Sequence, residues 1–239
     1  MDKEGAGFAT VLKAAQDKGY AEKNPEADVE GYDACRKIAI LSSLMSGKHV
    51  NYEDIYTEGI SKISIEDFAY ARTLGMAIKL LGMCKKNENG FFTIVAPFLI
   101  PYENPLANVN GVFNAINVHG NMVGDVMFYG RGAGKNATAS AVVADVIDII
   151  KHKGRHIDVN LNAEKAVLSP KDNAVRKFFV RVAAEYKEQA FEIFGHGIEE
   201  VTGDNVYNEF AFITDDISEK DFDEKLWKFD SVKGYIRLY

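Results

Sequence analysis

The stretch AQDKGYAEKNPEADVEGYDACRK, from Ala15 to Lys37, places acids and a lysine around Gly31, where a proline-containing loop turns into a helix. Asp33 and Lys37 are four residues apart, so on a helix the carboxylate and the ammonium share one face within reach of each other. Pro25 disfavours a helix through the loop, because the residue before a proline is pushed out of the α region. The stretch therefore predicts a loop that directs charged groups at the start of a helix.

Two further acids, Glu22 and Asp28, are predicted to lie on that loop, and the apolar density of residues 34 to 44 predicts a buried helix after it. Crowding charges in this way costs solvation energy unless a function uses them. The alternative is an ordinary surface ion pair between Asp33 and Lys37, worth a few tenths of a kcal/mol. On these residues alone, the surface ion pair is the preferred interpretation.

Composition limits the classes of protein to which the chain could belong. Its 239 residues are 47% hydrophobic and 26% charged, enough for one large or two modest domains. The net charge of −7 argues against a nucleic-acid partner. The sequence has no apolar run of about 18 residues for a membrane span and no signal-peptide pattern at its start, which predicts a cytoplasmic protein without membrane contacts.

Neither the cysteines nor the histidines suggest a metal site. Cys35 and Cys84 are too few for a disulfide framework and lack metal-ligand spacing, so both are predicted to be free thiols. His152 and His156 have a spacing that could bind metal from a helix, but Gly154 and basic neighbours favour a solvated helix end. We assign no metal.

The pattern along the chain predicts an α+β fold, in which helices cover a mixed sheet. Helices are predicted over residues 7–18, 33–46, 51–57, 66–75 and 136–151, and strands over 78–83, 91–100, 111–118 and 122–129. Asn51 and Ser64, each followed three residues later by an aspartate, resemble capping boxes. Helices on one face of a sheet form a layered domain, here residues 1–151.

After a linker predicted over residues 152–176, the pattern changes. Residues 177–239 read as strand, helix, strand, strand, helix, strand, in the segments 178–183, 186–195, 198–202, 206–214, 219–230 and 232–239. This order is the split β-α-β, ferredoxin-like plan. The sequence therefore predicts a second, small domain.

The opening stretch resembles the signature of homoserine dehydrogenases. The matching positions are Ala15, Gly19, Tyr20, Ala21, Pro25, Asp28, Gly31, Asp33 and Lys37. Further resemblance lies in IKLLG (78–82), PLANVNGVFNAI (105–116) and MFYGRGAG (127–134). One departure is Asn104, where the family usually has His before Pro-Leu-Ala.

The resemblance implies NAD(P)-dependent interconversion of L-homoserine and L-aspartate 4-semialdehyde, a step of threonine and methionine biosynthesis. It implies that Lys37 transfers a proton at the reacting hydroxyl or carbonyl, with Asp33 beside it. Glu22 and Asp28 would hold the amino group of homoserine, and Gly132, in a glycine-rich turn, would approach the nicotinamide. An ammonium substrate needs carboxylates, and a developing alkoxide needs a nearby proton donor.

No segment of the sequence reads as the first strand, glycine fingerprint and helix of a dinucleotide-binding unit. In the family this NAD(P)-binding domain precedes the segment where Met1 stands. We therefore expect the N-terminal cofactor domain to be missing and the chain alone to be inactive. The residue that discriminates NAD from NADP would lie in that domain.

Residues 177–239 resemble an ACT domain, a small regulatory module that pairs between subunits and binds an amino-acid effector such as threonine. Its usual Asp-x-Pro-Gly loop is replaced here by Glu185 to Glu188, so effector control and oligomerisation alone remain two alternatives. The resemblance implies a homo-oligomer such as a dimer. An alternative function is a stand-alone amino-acid-binding module that dimerises through this region.

Overall fold

A mixed β-sheet with helices packed on it forms the centre of the molecule. The computed structural model describes residues 1, 5–88, 90–155, 159 and 161–239. The helices are α1 (Phe8–Asp17), α2 (Glu26–Val29), α3 (Tyr32–Ser46), α4 (Ile65–Thr73), α5 (Lys135–Lys151), α6 (Lys187–Phe194) and α7 (Glu219–Leu226). The strands are β1 (Lys48–His49), β2 (Tyr56–Thr57), β3 (Met76–Asn87), β4 (Gly90–Pro101), β5 (Phe113–Gly120), β6 (Gly124–Arg131), β7 (Asn162–Lys165), β8 (Val175–Arg176), β9 (Phe178–Ala183), β10 (Glu199–Val201), β11 (Glu209–Ile213), β12 (Ile217–Ser218) and β13 (Val232–Leu238). The predicted α+β class is confirmed.

Strand β4 organises the sheet. One edge of β4 pairs with β3 in a long antiparallel hairpin from Met76↔Pro101 to Asn87↔Gly90. The other edge pairs with two strands placed end to end, β2 at Ile94 and β13 at Phe98, both parallel to β4. Continuous burial of β4 from Phe92 to Ile100 explains its unbroken apolar sequence, because both faces of the strand are covered.

The C-terminal region forms the other half of the same sheet. Its strands lie in the order β10-β11-β9-β13, and every pairing among them is antiparallel. The predicted element order, strand-helix-strand-strand-helix-strand, is present, with the two-residue strand β12 added before the second helix. Because β13 pairs with β4, the strands of the two predicted domains lie in one sheet. The domain boundaries proposed from the sequence stay a prediction.

Aromatic packing holds the helices of the C-terminal region against the sheet. Phe178 of β9 and Phe222 of α7 are fully buried and stack with ring centroids 3.6 Å apart. Phe194 of α6 contacts both Phe212 and Phe222. A second core, on the opposite side, includes Tyr70 of α4 and Phe179 of β9, so both faces of β9 are buried.

One helix assignment from the sequence was wrong in part. Residues 51–57 form one 3-10 turn, Tyr52–Asp54, followed by strand β2, because Tyr56 and Thr57 pair with the central strand instead of continuing a helix. Asn51 does cap the turn, accepting a hydrogen bond from the Glu53 amide. The predicted linker contains strands β7 and β8, which pair with β1 and β12.

The β5–β6 hairpin and α5 extend over a largely exposed surface. Helix α5, all of whose residues are described, buries none of its side chains. Apolar side chains such as Val143, Ile149 and Phe128 are more than half exposed. Among the described residues, no helix combines the length and the apolar character needed to cross a bilayer.

Candidate active site

The acidic stretch folds into a sharp elbow between α2 and α3. Gly31 sits at the bend with φ +78°, a left-handed conformation that favours glycine. An added Cβ would lie 3.2 Å from Cγ1 of Val95 on the central strand, so the elbow packs closely on the sheet. Pro25 precedes α2 as its N-cap, and the loop predicted there becomes a short helix after the proline.

Asp33 and Lys37 lie on one face of α3, as their spacing predicts. The Asp33 Oδ2 and Lys37 Nζ atoms are 2.7 Å apart. The two side chains are 47% and 62% exposed, so solvent or a ligand can reach them. An ion pair this open adds little to stability and leaves both groups available for chemistry.

The two upstream acids occupy different settings. Glu22 is exposed, and its backbone carbonyl accepts a hydrogen bond of 2.8 Å from the Gln16 side chain, which ties the loop to α1. Asp28 lies in α2, not on a loop as predicted, and contributes to the wall of a cavity of about 370 Å³. The remaining wall is mainly apolar, with Leu12 of α1 and Ile78 of β3 among its side chains.

The family model for homoserine dehydrogenase matches residues 1–147. This range covers the elbow and all the candidate residues. The chain belongs to the homoserine dehydrogenase family.

Curated relatives agree with this family assignment. The chain is 44% identical over 193 residues to the homoserine dehydrogenase of Neisseria gonorrhoeae, covering 77% of this chain and 44% of that protein. It is 34% identical over 241 residues to the Bacillus subtilis homoserine dehydrogenase, covering 95% of this chain and 56% of that one. The chain therefore spans about half the length of these relatives.

Solved structures of the family have the same fold as the whole chain. A homoserine dehydrogenase from Thiobacillus denitrificans superposes with a TM-score of 0.84 at 35% identity, covering all of this chain and 60% of that one. A homoserine dehydrogenase from Staphylococcus aureus gives a TM-score of 0.78 at 29% identity, with the same coverage. The likeness thus extends beyond the family-model match into the C-terminal half of the sheet.

The elbow packs against Gly59 and Ile60, two residues that the sequence analysis did not identify. The Ile60 amide donates a hydrogen bond of 2.8 Å to the Val29 carbonyl in α2. At Gly59, an added Cβ would lie 2.3 Å from the same carbonyl oxygen, so only glycine allows the two backbones to approach so closely. A lone glycine between ordinary residues carries no such signal in the sequence.

Sequence reasoning also missed a buried charge cluster behind this segment. Arg237 of β13 donates two hydrogen bonds to Glu219, of 2.8 and 2.9 Å, and one of 2.6 Å to Glu58. Burial alone would lower the pKa of Arg237, but the hydrogen bonds to Glu219 and the charge of Glu58 raise it above the ordinary value. Burial lowers the pKa of Arg176, whose Nε lies 3.1 Å from Glu219.

The glycine-rich turn before α5 holds Gly132. The Gly132 amide donates to the Val112 carbonyl, and an added Cβ would overlap the Asn114 side chain, so the turn packs tightly on β5. At Gly134, where α5 starts, an added Cβ would meet nothing within 4 Å, so the backbone borders open space at this position. Asn104, the residue that departs from the family pattern, caps the 3-10 turn Pro105–Asn108. Its side-chain oxygen accepts a hydrogen bond from the Leu106 amide.

The described residues contain no group of three or more His, Cys, Asp and Glu side chains that could hold a metal ion. His152 lies at the end of α5, where its Nδ1 is 3.2 Å from Asp148 Oδ1. His156 lies outside the described residues.

Proposed function

We propose that this chain supplies the substrate-binding and proton-transfer part of a homoserine dehydrogenase, an NAD(P)-dependent oxidoreductase that interconverts L-homoserine and L-aspartate 4-semialdehyde. This places it in threonine and methionine biosynthesis. The observation that carries the proposal is the exposed contact between Asp33 and Lys37 at the elbow, within the range that matches the family.

Lys37 moves the proton at the reacting oxygen. When homoserine is oxidised, its hydroxyl must lose a proton, and in reverse the developing alkoxide must gain one. The carboxylate of Asp33, 2.7 Å away, holds the Lys37 amine in place and balances its charge. A lysine on the solvent-facing side of a helix, with one fixed partner, can accept the proton when homoserine is oxidised and donate it in the reverse reaction.

Glu22 and Asp28 bind the substrate ammonium. Both acids are exposed and lie in the segment that leads into α3, the helix that carries Asp33 and Lys37. A substrate that carries a permanent positive charge is recognised best by carboxylates, which form short charge-assisted hydrogen bonds. The other residues of the cavity to which Asp28 contributes, such as Leu12 and Ile78, provide an apolar surface for the carbon chain of the substrate.

The nicotinamide cofactor supplies the hydride acceptor when bound. Within this chain, we place its nicotinamide end at the glycine-rich turn of Gly132, which leads into the start of α5. The sequence has no G-x-G-x-x-G fingerprint, so we place most of the dinucleotide contacts on a domain outside residues 1–239.

Residues 177–239 form an ACT-like regulatory unit in this proposal, with residues 152–176 as the connection to the catalytic part, residues 1–151. Its antiparallel order β10-β11-β9-β13 supports this reading. An amino-acid effector such as threonine would bind there, and copies would pair to form a homo-oligomer. The ammonium of Lys187, in the altered loop, lies 2.8 Å from the carboxylate of Glu200. This ion pair neutralises the positive charge that Lys187 would otherwise present to an effector.

The test of the proton-transfer role is the turnover of homoserine by this chain joined to a family dinucleotide-binding domain. Lys37→Ala should lower kcat by about 100-fold or more, the scale of a lost general acid–base group. Lys220→Ala is the matched control, because Lys220 makes a similar i,i+4 pair with Glu224 on the distant helix α7. Unchanged turnover in Lys37→Ala would remove Lys37 from the mechanism.

A further inference from the structure

The segment on which the elbow packs, residues 57–60, is called the seat. It is fixed by a side chain from the C-terminal end of the sequence. Glu58 lies between β2, where Thr57 ends the strand, and Gly59, which touches α2. Its amide donates a hydrogen bond of 2.8 Å to the Val95 carbonyl, and its carboxylate accepts one of 2.6 Å from Arg237. Glu58 is therefore held on both its backbone and its side chain.

Arg237 is a rigid anchor for this contact. Its side chain is 1% exposed, and Glu219, which it grips with two hydrogen bonds, is fully buried. A bidentate pair fixes the plane of the guanidinium, so the third contact, to Glu58, has a defined direction. The hydroxyl of Tyr56 donates a further hydrogen bond of 3.2 Å to the same Glu58 oxygen.

We propose that Glu58 and Arg237 are positioning residues for the homoserine site. The pair fixes the segment 57–60, this segment contacts α2 at Val29, and α2 in turn sets the position of Asp28. The last strand of the chain thus determines how tightly the substrate ammonium is held. This inference rests on the proposed function, because it takes the elbow as the ammonium site.

The structure offers a variant that separates positioning from folding. In Glu58→Gln, the amide oxygen still accepts from Arg237, and Arg237 keeps its two hydrogen bonds to Glu219, a carboxylate that it then shares with Arg176. The loss is the charge that shortens the Glu58–Arg237 contact and pulls the seat inward. We expect the variant to fold and its elbow to be less firmly held.

A second buried pair in the same sheet provides the matched control. Arg181 of β9 is 3% exposed and donates to Glu209, which is 12% exposed, at 2.9 Å. Glu58 and Arg237 have nearly the same values, 14% and 1%. Arg181 holds Glu209 with two hydrogen bonds and also contacts Ser64, the N-cap of α4, and Asp67, so Glu209→Gln removes a buried carboxylate charge from an arginine that does not contact the elbow.

The experiment is a titration of the 239-residue chain with two probes, L-homoserine and 4-hydroxybutanoate, which lacks the amino group. Glu58→Gln should weaken homoserine binding about tenfold, a change of about 1.4 kcal/mol, and leave 4-hydroxybutanoate binding unchanged. Glu209→Gln should change neither dissociation constant. Equal losses for both probes in Glu58→Gln, or wild-type affinity for homoserine, would overturn the proposal.

Amide hydrogen exchange provides a readout that needs no ligand. Glu58→Gln should speed exchange at the Ile60 amide, which is bonded to Val29, while Glu209→Gln should not. If the unmodified chain binds no homoserine, the proposed function fails, and this exchange result alone decides whether the pair positions the elbow. If Glu58→Gln does not fold, Tyr56→Phe, which removes only the hydroxyl bonded to Glu58, is expected to show the same pattern.

Discussion

At the scale of single residues, the charged pairs of this chain divide by burial. Asp33 and Lys37 face solvent, where the attraction between them is screened and a substrate can compete for either group. Arg237 and Glu219 lie in the core, where an unpaired charge would be costly and the pairing is correspondingly rigid. The first pair is suited to chemistry and the second to holding backbone segments in place.

Tyr235, beside the buried charge cluster, makes the free energy of unfolding depend on pH. Burial, helped by the charge of Glu58, raises the pKa of the Tyr235 phenol above its ordinary value. Above about pH 10 the unfolded chain releases this proton while the folded chain keeps it. Stability that is fully present below this pH is therefore lost as the pH rises towards the folded pKa.

We expect the free energy of unfolding, from urea denaturation at about pH 8 and about pH 11, to fall less in Tyr235→Phe than in the wild type. Tyr207→Phe is the control, because Tyr207 is 77% exposed, and its fall should equal that of the wild type. An equal fall in all three proteins would show that Tyr235 titrates normally in the folded state.

At the scale of elements, the sequence predicted most helices and strands because their apolar periods are clear. The long apolar run of β4 and the short run of aromatic and β-branched residues in β9 identify strands without tertiary information. The region 51–57 was predicted wrongly because its strand is only two residues long and is defined by pairing with β4. Asp28 was assigned to a loop because a four-residue helix has no period to detect.

Helix α4 tests the value of a capping signal read from sequence. Ser64 and Asp67 form the predicted capping box, with a hydrogen bond of 2.7 Å from the Ser64 amide to Asp67. The Ser64 hydroxyl also accepts from Arg181, so the cap links α4 to the sheet. Ser64→Ala should lower the free energy of unfolding by about 1–2 kcal/mol in urea denaturation.

Ser140→Ala, at an exposed position within α5, is the control for this substitution and should change stability by less than about 0.5 kcal/mol. A Ser64→Ala protein as stable as the Ser140→Ala protein would mean that the cap adds nothing measurable.

At the scale of the whole molecule, one sheet joins the beginning and the end of the chain. The sequence predicted the shared helix face of Asp33 and Lys37, because this depends on local spacing, whereas their proposed roles rest on the resemblance to the family. It could not predict the seat beneath them, because Glu58 and Arg237 are 179 positions apart and only the pairing of β13 with β4 brings them together. The order of the elements could be predicted from the sequence, whereas the contact between the N-terminal and C-terminal parts of the sheet could not.

The central claim is that the elbow binds homoserine, and the most direct test is to map where this ligand binds on the 239-residue chain. Titration with L-homoserine, followed by amide chemical shifts, should perturb residues 20–37 and the seat at 57–60. A protein whose perturbed amides all lie within residues 177–239 would instead be an amino-acid sensor. Perturbation confined to that region, or none at all, would contradict the account.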